Sequence, residues 1–161
     1  EVRVYSLKGE HLFNIGKRGG RPGELNFPYA AAVDAEGKIY VVDSGNFRVQ
    51  VFDSDGGFLR EFGAVGMEYG YFARPKGIAV DSEGHVYVVD ASFGNFQIFD
   101  FQGNTYLSVG VTGAEAGKFL LPVGIAIDGE DKIYVVDQMN ARVQIFQYLK
   151  YPKEKIATPT E

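Results

Sequence analysis

One 26-residue phrase occurs three times in this chain at a single fixed spacing. It reads PYAAAVDAEGKIYVVDSGNFRVQVFD from Pro28, PKGIAVDSEGHVYVVDASFGNFQIFD from Pro75 and PVGIAIDGEDKIYVVDQMNARVQIFQ from Pro122. Each start lies 47 residues after the one before, with no slip in register. Self-similarity at a fixed period specifies a repeat array, in which each unit covers its apolar surface only by stacking on the next copy.

Within a copy, four short segments rich in β-branched and aromatic residues are separated by turn residues. In the second copy they run from Gly77 to Asp81, Val86 to Asp90, Phe96 to Asp100 and about Tyr106 to Gly110. That spacing predicts consecutive antiparallel strands, and no window long enough for a helix keeps a 3.6-residue apolar period. The first two strands are apolar on both faces, the third (Arg48 to Phe52) partly alternates, and the fourth (Phe58 to Phe62) carries charge. Burial is therefore expected to decline from the first strand to the fourth, as in a propeller blade with neighbours on both sides.

The turns between the first and second strands, residues 34–37, 81–84 and 128–131, open on an aspartate and close on Gly37, Gly84 and Asp131. An aspartate there accepts hydrogen bonds from its own turn, and the closing residue is expected to be left-handed. Three registered glycines punctuate each connection between copies: Gly16, Gly19 and Gly23 recur as Gly63, Gly66 and Gly70, then as Gly110, Gly113 and Gly117. A phosphate cradle with this spacing would need a helix behind it, so these glycines read as loop geometry.

The formal charge of −5 argues against a whole-surface affinity for nucleic acid or anionic lipid. Without cysteine there is no disulfide or thiolate chemistry. The longest apolar run, 119–127, is interrupted by Pro122 and is too short to span a bilayer. No membrane association is expected. The cellular compartment is open; if the protein is secreted or periplasmic, its signal lies outside this chain.

P-x-G-I-A-V-D, I-Y-V-V-D and N-x-R-V-Q-V-F, recurring together in register, resemble the NHL repeat. The resemblance covers nearly the whole chain and implies an all-β fold, a β-propeller of about three four-stranded blades. Such propellers mostly have six blades, and six units of this period need 282 residues, so this chain corresponds to half a ring. Residues 1–16 align with the last two strands of a preceding or swapped blade. Residues 17–63, 64–110 and 111–149 make blades 1, 2 and 3. The fourth strand of blade 3 is expected to be missing, because Pro152 falls where it should begin, and 150–161 reads as a polar tail. Three blades leave two apolar faces bare. The expectation is either the C-terminal part of a longer protein or a homodimer closing one six-bladed ring.

In a repeat array the aspartates that recur in every copy read as architecture. Asp43, Asp90 and Asp137 cap turns, the first and last beside Arg48 and Arg142. Binding residues are sought where the copies differ. Phe93 and Asn95 replace Asn46 and Arg48; the connections carry Arg18 and Arg21, then Tyr69, Tyr71, Arg74 and Lys76; Gln138 and Met139 lie in the turn of the last copy. Related propellers usually bind on this loop face, which implies a non-catalytic scaffold for a protein, peptide or glycan. Two alternatives stand beside it: RNA held by the basic loops, and a metal-dependent lyase or hydrolase completed by blades outside this chain. His11 and His85 are not placed together by the spacing, and no cofactor, catalytic residue or metal ligand is assigned.

Overall fold

Residues 1–149 are described by a computed structural model. Thirteen strands fall into four antiparallel sheets. The first pairs β1 (Val2–Tyr5) with β2 (His11–Ile15). The second holds β3 (Pro28–Val33), β4 (Ile39–Asp43), β5 (Arg48–Phe52) and β6 (Phe58–Phe62) in chain order. The third repeats it with β7 (Pro75–Val80), β8 (Val86–Asp90), β9 (Asn95–Phe99) and β10 (Thr105–Val109). The fourth comprises β11 (Pro122–Ile127), β12 (Lys132–Asp137) and β13 (Arg142–Gln147). Sequential hairpins with the first strands β3, β7 and β11 side by side make this a β-propeller arrangement. The expected fourth-strand position of the last blade lies outside the described residues. Among the described residues no helix is long and apolar enough to cross a membrane.

The period carries through to atomic register. Val2 faces Ile15, Val49 faces Phe62 and Phe96 faces Val109, each pair 47 residues beyond the last. The closing turn residues are left-handed as the spacing requires, with φ of 82° at Gly37, 86° at Gly84 and 58° at Asp131. Cohesion comes from the surfaces between blades. Tyr40, Val42, Val49 and Val51 of blade 1 pack on Phe72, Ile78, Val86 and Val88 of blade 2. One period on, Tyr87, Val89 and Phe96 pack on Phe119, Ile133 and Val135. A fully buried side chain of this size contributes about 1.5–3 kcal/mol, so each blade depends on its neighbour for stability.

The expected decline of burial towards the fourth strand holds in blade 2, from β7 and β8 through β9 to β10, but not in blade 1. In blade 1 the third strand, β5, is buried throughout, whereas β3 alternates between half-buried and exposed. The reason is chemical: the Gln50 side chain, which looked like the wet face of an alternating strand, donates to the Glu24 carbonyl and to Asp43 while accepting from the Gly23 amide. Fully bonded, a glutamine is tolerated in the interior. Gln97 and Gln144 repeat the arrangement on their own loops.

Candidate binding face

The turns after the second strands and the connections between blades lie on one face, knitted by the repeating aspartates. Asp43 is wholly buried and accepts from the Asn26 amide (2.5 Å), Asn46 Nδ2 (2.8 Å), Arg48 Nε (2.9 Å) and Gln50 Nε2 (3.0 Å). Arg48 then donates from Nη2 to the carbonyls of Arg21 and Glu24, cinching the connection to the sheet. Asp137, Asn140 and Arg142 rebuild the same cluster in blade 3. The aspartates are architecture, as the recurrence implies.

Burial by itself pushes the Asp137 carboxyl up, but donation from Asn140, Leu120 and Arg142 outweighs it and leaves the pKa below the ordinary 3.8. The turn carboxyls of Asp100 and Asp128 are held low by their own backbone and side-chain donors. Groups depressed in the folded state stabilise it above their unfolded pKa and lose that contribution as pH falls through the folded value. The melting temperature, followed by circular dichroism, should be flat above about pH 5 and fall steadily below about pH 4. Asp137→Asn should flatten that acid limb; an unchanged limb would remove Asp137 from its cause.

Blade 2 departs from this plan. With Asn95 in place of arginine, buried Asp90 accepts only main-chain amides, those of Ala73, Arg74, Ser92 and Phe93. Gly94 is left-handed (φ 63°), and a Cβ there would stand 2.8 Å from the Thr112 backbone. The Phe93 and Asn95 exception thus lets the next connection close over the turn. Asn95 is committed to Ser108 (2.9 Å), and Phe93 is half-buried. No guanidinium gathers in the connection that precedes blade 2, residues 64–74. It leaves Met67 90% and Tyr69 79% exposed, with Tyr71 less so.

Of the sequence candidates, Lys76 and Arg74 are brought together. Lys76 lies within β7 and not in the connection, with Nζ 3.9 Å from the centroid of the Tyr29 ring on β3. Desolvation, then the neighbouring Arg74 charge, lowers the Lys76 pKa. Tyr29 and Phe27 are both more than half exposed, and Phe27 shares a shallow groove with Arg18. Arg21, Tyr69, Gln138 and Met139 are exposed elsewhere on the same face, apart from this pair. Tyr29 and Phe27 escaped sequence reading because they open the first copy, where nothing precedes them in full to mark them as exceptions. Comparison with Lys76 and Arg74, 47 positions on, was the available signal.

The opposite face carries a groove lined by Asp34, Glu36, Lys38, Asp81 and Phe101. Its aspartates are occupied: Asp34 caps its turn and accepts from Tyr40, and Asp81 does the same for Tyr87 with His85 Nδ1 at 2.8 Å. Among the described residues no three His, Cys, Asp or Glu side chains are grouped to hold a metal ion.

The sequence profile of the NHL repeat matches residues 25–52 and 72–101, the greater part of two successive copies of the phrase. These two stretches are NHL repeats. NHL repeat-containing protein 3 of Homo sapiens is 43% identical over 46 residues, 29% of this chain and 13% of that protein. Protein lin-41 of Caenorhabditis elegans is 44% identical over 45 residues, 28% of this chain and 4% of that one. The matched stretch is thus a small part of the curated relatives. Among solved structures, a structural genomics protein from Bacteroides thetaiotaomicron superposes with a TM-score of 0.68 at 19% identity, over 86% of this chain and 40% of that one. A virginiamycin B lyase from Staphylococcus aureus, solved with quinupristin, gives a TM-score of 0.60 at 10% identity, over 91% of this chain and 48% of its own. At such identities the likeness is one of fold.

Proposed function

We propose that this NHL propeller segment is a non-catalytic scaffold whose loop face holds an acidic segment of a protein or peptide, and that two copies close one ring. The observation that carries the binding reading is the Lys76 ammonium seated on the exposed Tyr29 ring with Arg74 beside it. A cation already placed over an aromatic face and partly stripped of water favours a carboxylate that neutralises it, while Tyr29 and Phe27 offer apolar area around the charge. The chain as a whole is net negative, so attraction for an anion must come from local cations such as these.

The test uses a labelled Glu-Tyr copolymer peptide, with a Lys-rich peptide, a neutral oligosaccharide and single-stranded oligo-U RNA as comparators. The acidic peptide is expected to bind, and Lys76→Glu to weaken it at least about tenfold with Tyr29→Ala close behind. Absence of binding, or binding indifferent to both substitutions, would sink the reading. Stronger binding to RNA with a steep salt dependence would give the face to nucleic acid instead.

A further inference from the structure

The bare face of blade 3 is specified by its own repeat. Val136, Val143 and Ile145 are 41%, 55% and 62% exposed. Their counterparts Val42, Val49 and Val51, two periods earlier, are each 0% exposed beneath blade 2. The surface that fits them is therefore the one blade 2 presents to blade 1. One period before blade 2, the same surface appears on blade 1 as Leu25, Ile39, Val41 and Phe52. Most of that surface is already covered by β1 and β2, which leave Leu25, Val41 and Phe52 buried and Ile39 half-buried; Val2, Val4 and Ile15 take the places that Val49, Val51 and Phe62 take one blade on. Nothing in β1 matches Tyr40 and Val42 of that interface, and Val33 beside it stays exposed.

The duplicated strand resolves through the same register. Val2, Arg3 and Val4 of β1 stand three periods, 141 residues, before Val143, Gln144 and Ile145 of β13. In the two full blades the third strand pairs with a second strand on one edge and a fourth on the other; among the described residues β13 pairs with β12 alone. In its turn β1 pairs with β2 alone. Among the described residues each of these two third-type strands has one edge unfilled, and β2 is a fourth-type strand that fits both.

We propose that β1 is a placeholder, and that two copies of this chain associate by strand exchange: β13 of one copy displaces β1 from β2 of the other. Val143 then faces Ile15 across the junction, Gln144 faces Asn14 and Ile145 faces Phe13, the register β1 holds within one chain. The exchange brings Tyr134 and Val136 over blade 1, which β1 has no residues to do, so the exchanged state buries apolar surface that the closed single copy leaves wet. Two such junctions are related by a two-fold axis and complete six four-stranded blades, with both β1 strands released. This inference rests on the ring-closing reading above and adds the strand that moves.

Light scattering on the complete chain at tens of micromolar should give twice its 17.7 kDa mass. Ile145→Glu, at a side chain exposed in the single copy, should return the monomer mass with an unchanged circular dichroism spectrum. Since the chain has no cysteine, Asn14→Cys with Gln144→Cys should yield a disulfide-linked dimer on mild oxidation. A monomeric parent, including one that dimerises only after residues 150–161 are removed, overturns ring closure by two copies. A dimer that resists Ile145→Glu, or that forms no cross-link while the double variant keeps its native spectrum, leaves self-association standing and overturns the exchange.

Discussion

Replacing Asp43 by alanine is expected to lower the unfolding free energy by about 3–4 kcal/mol and the melting temperature by about 10 °C. The carboxylate is wholly buried and satisfies four donors from four residues, among them the guanidinium of Arg48, itself only 7% exposed. Alanine opens a void beside Nε of that cation, whose remaining ion pair is with the part-exposed Glu61 (2.8 Å), and takes one acceptor from each of the Asn46 and Gln50 amides, which keep the Gly19 and Glu24 carbonyls. A buried charge that loses its partner costs far more than a lost neutral hydrogen bond, about 3–5 kcal/mol against roughly 1–3. Asp90 supplies the internal control, because blade 2 has no arginine at this site and Asp90 accepts only main-chain amides. Asp90→Ala should therefore cost less, about 2 kcal/mol. Adding Arg48→Met to Asp43→Ala should recover part of the loss, with a coupling energy of about 1.5 kcal/mol or more. Denaturant titrations followed by circular dichroism and by the fluorescence of the ten tyrosines measure these three variants and Arg48→Met alone, there being no tryptophan. Equal costs at Asp43 and Asp90, or strict additivity with Arg48→Met, would show that the ion pair is not what the site depends on.

Much of the fold is legible in the period alone. Three registered copies give the strand order, and the turn aspartates and glycines give the hairpins. The left-handed Asp131 follows from the glycine it replaces. The boundaries shift by a residue or two where side-chain type misleads. β7 begins at Pro75 and not at Gly77, because a proline is compatible with the first residue of a strand, and this moves Lys76 from a connection onto the inner strand. The burial of Gln50 and Gln97 was not legible, since a polar residue in an apolar run reads as wet unless its partners are known. Those loop partners lie 26 or 27 residues away along the chain. The candidate site was half legible. Arg74 and Lys76 stand out as departures from the repeat, but their aromatic neighbours come from the previous blade, a contact that only stacking of the blades creates.

The same logic separates the two kinds of exception in blade 2. Phe93, Gly94 and Asn95 break the pattern together, and the structure uses all three: the glycine admits Thr112, the asparagine bonds Ser108, and Asp90 turns to main-chain donors. Arg74 and Lys76 break it without any comparable structural use. Their charges are held side by side at a cost in solvation and mutual repulsion, as the lowered Lys76 pKa reports. That departure, which the packing does not require, is what the proposed binding site rests on.

Gly77→Val should be the most disruptive single change at a blade junction, costing about 3 kcal/mol, with Gly77→Ala nearer 1. A Cβ at Gly77 would lie 2.9 Å from the Gly124 Cα and 2.9 Å from the Ile125 nitrogen, both main-chain atoms of β11 that have no rotamer to escape into. Ala30 holds this position in the first copy and packs against the interface of blades 1 and 2, so a single methyl is compatible with a junction of this kind. Two further methyls on a branched carbon are not, and β7 and β11 must separate along their length. The interface of Tyr87, Val89 and Phe96 with Phe119, Ile133 and Val135 would open with them. Because each blade of an array draws its stability from its neighbours, weakening one junction uncouples the units on either side of it. Hydrogen exchange on Gly77→Val should then show β11 to β13 losing protection well before β4 and β5, where the parent loses it in one step. Protection lost together in the variant would mean that the blade 2 and 3 junction does not hold the array in one cooperative unit, whatever the contacts there suggest.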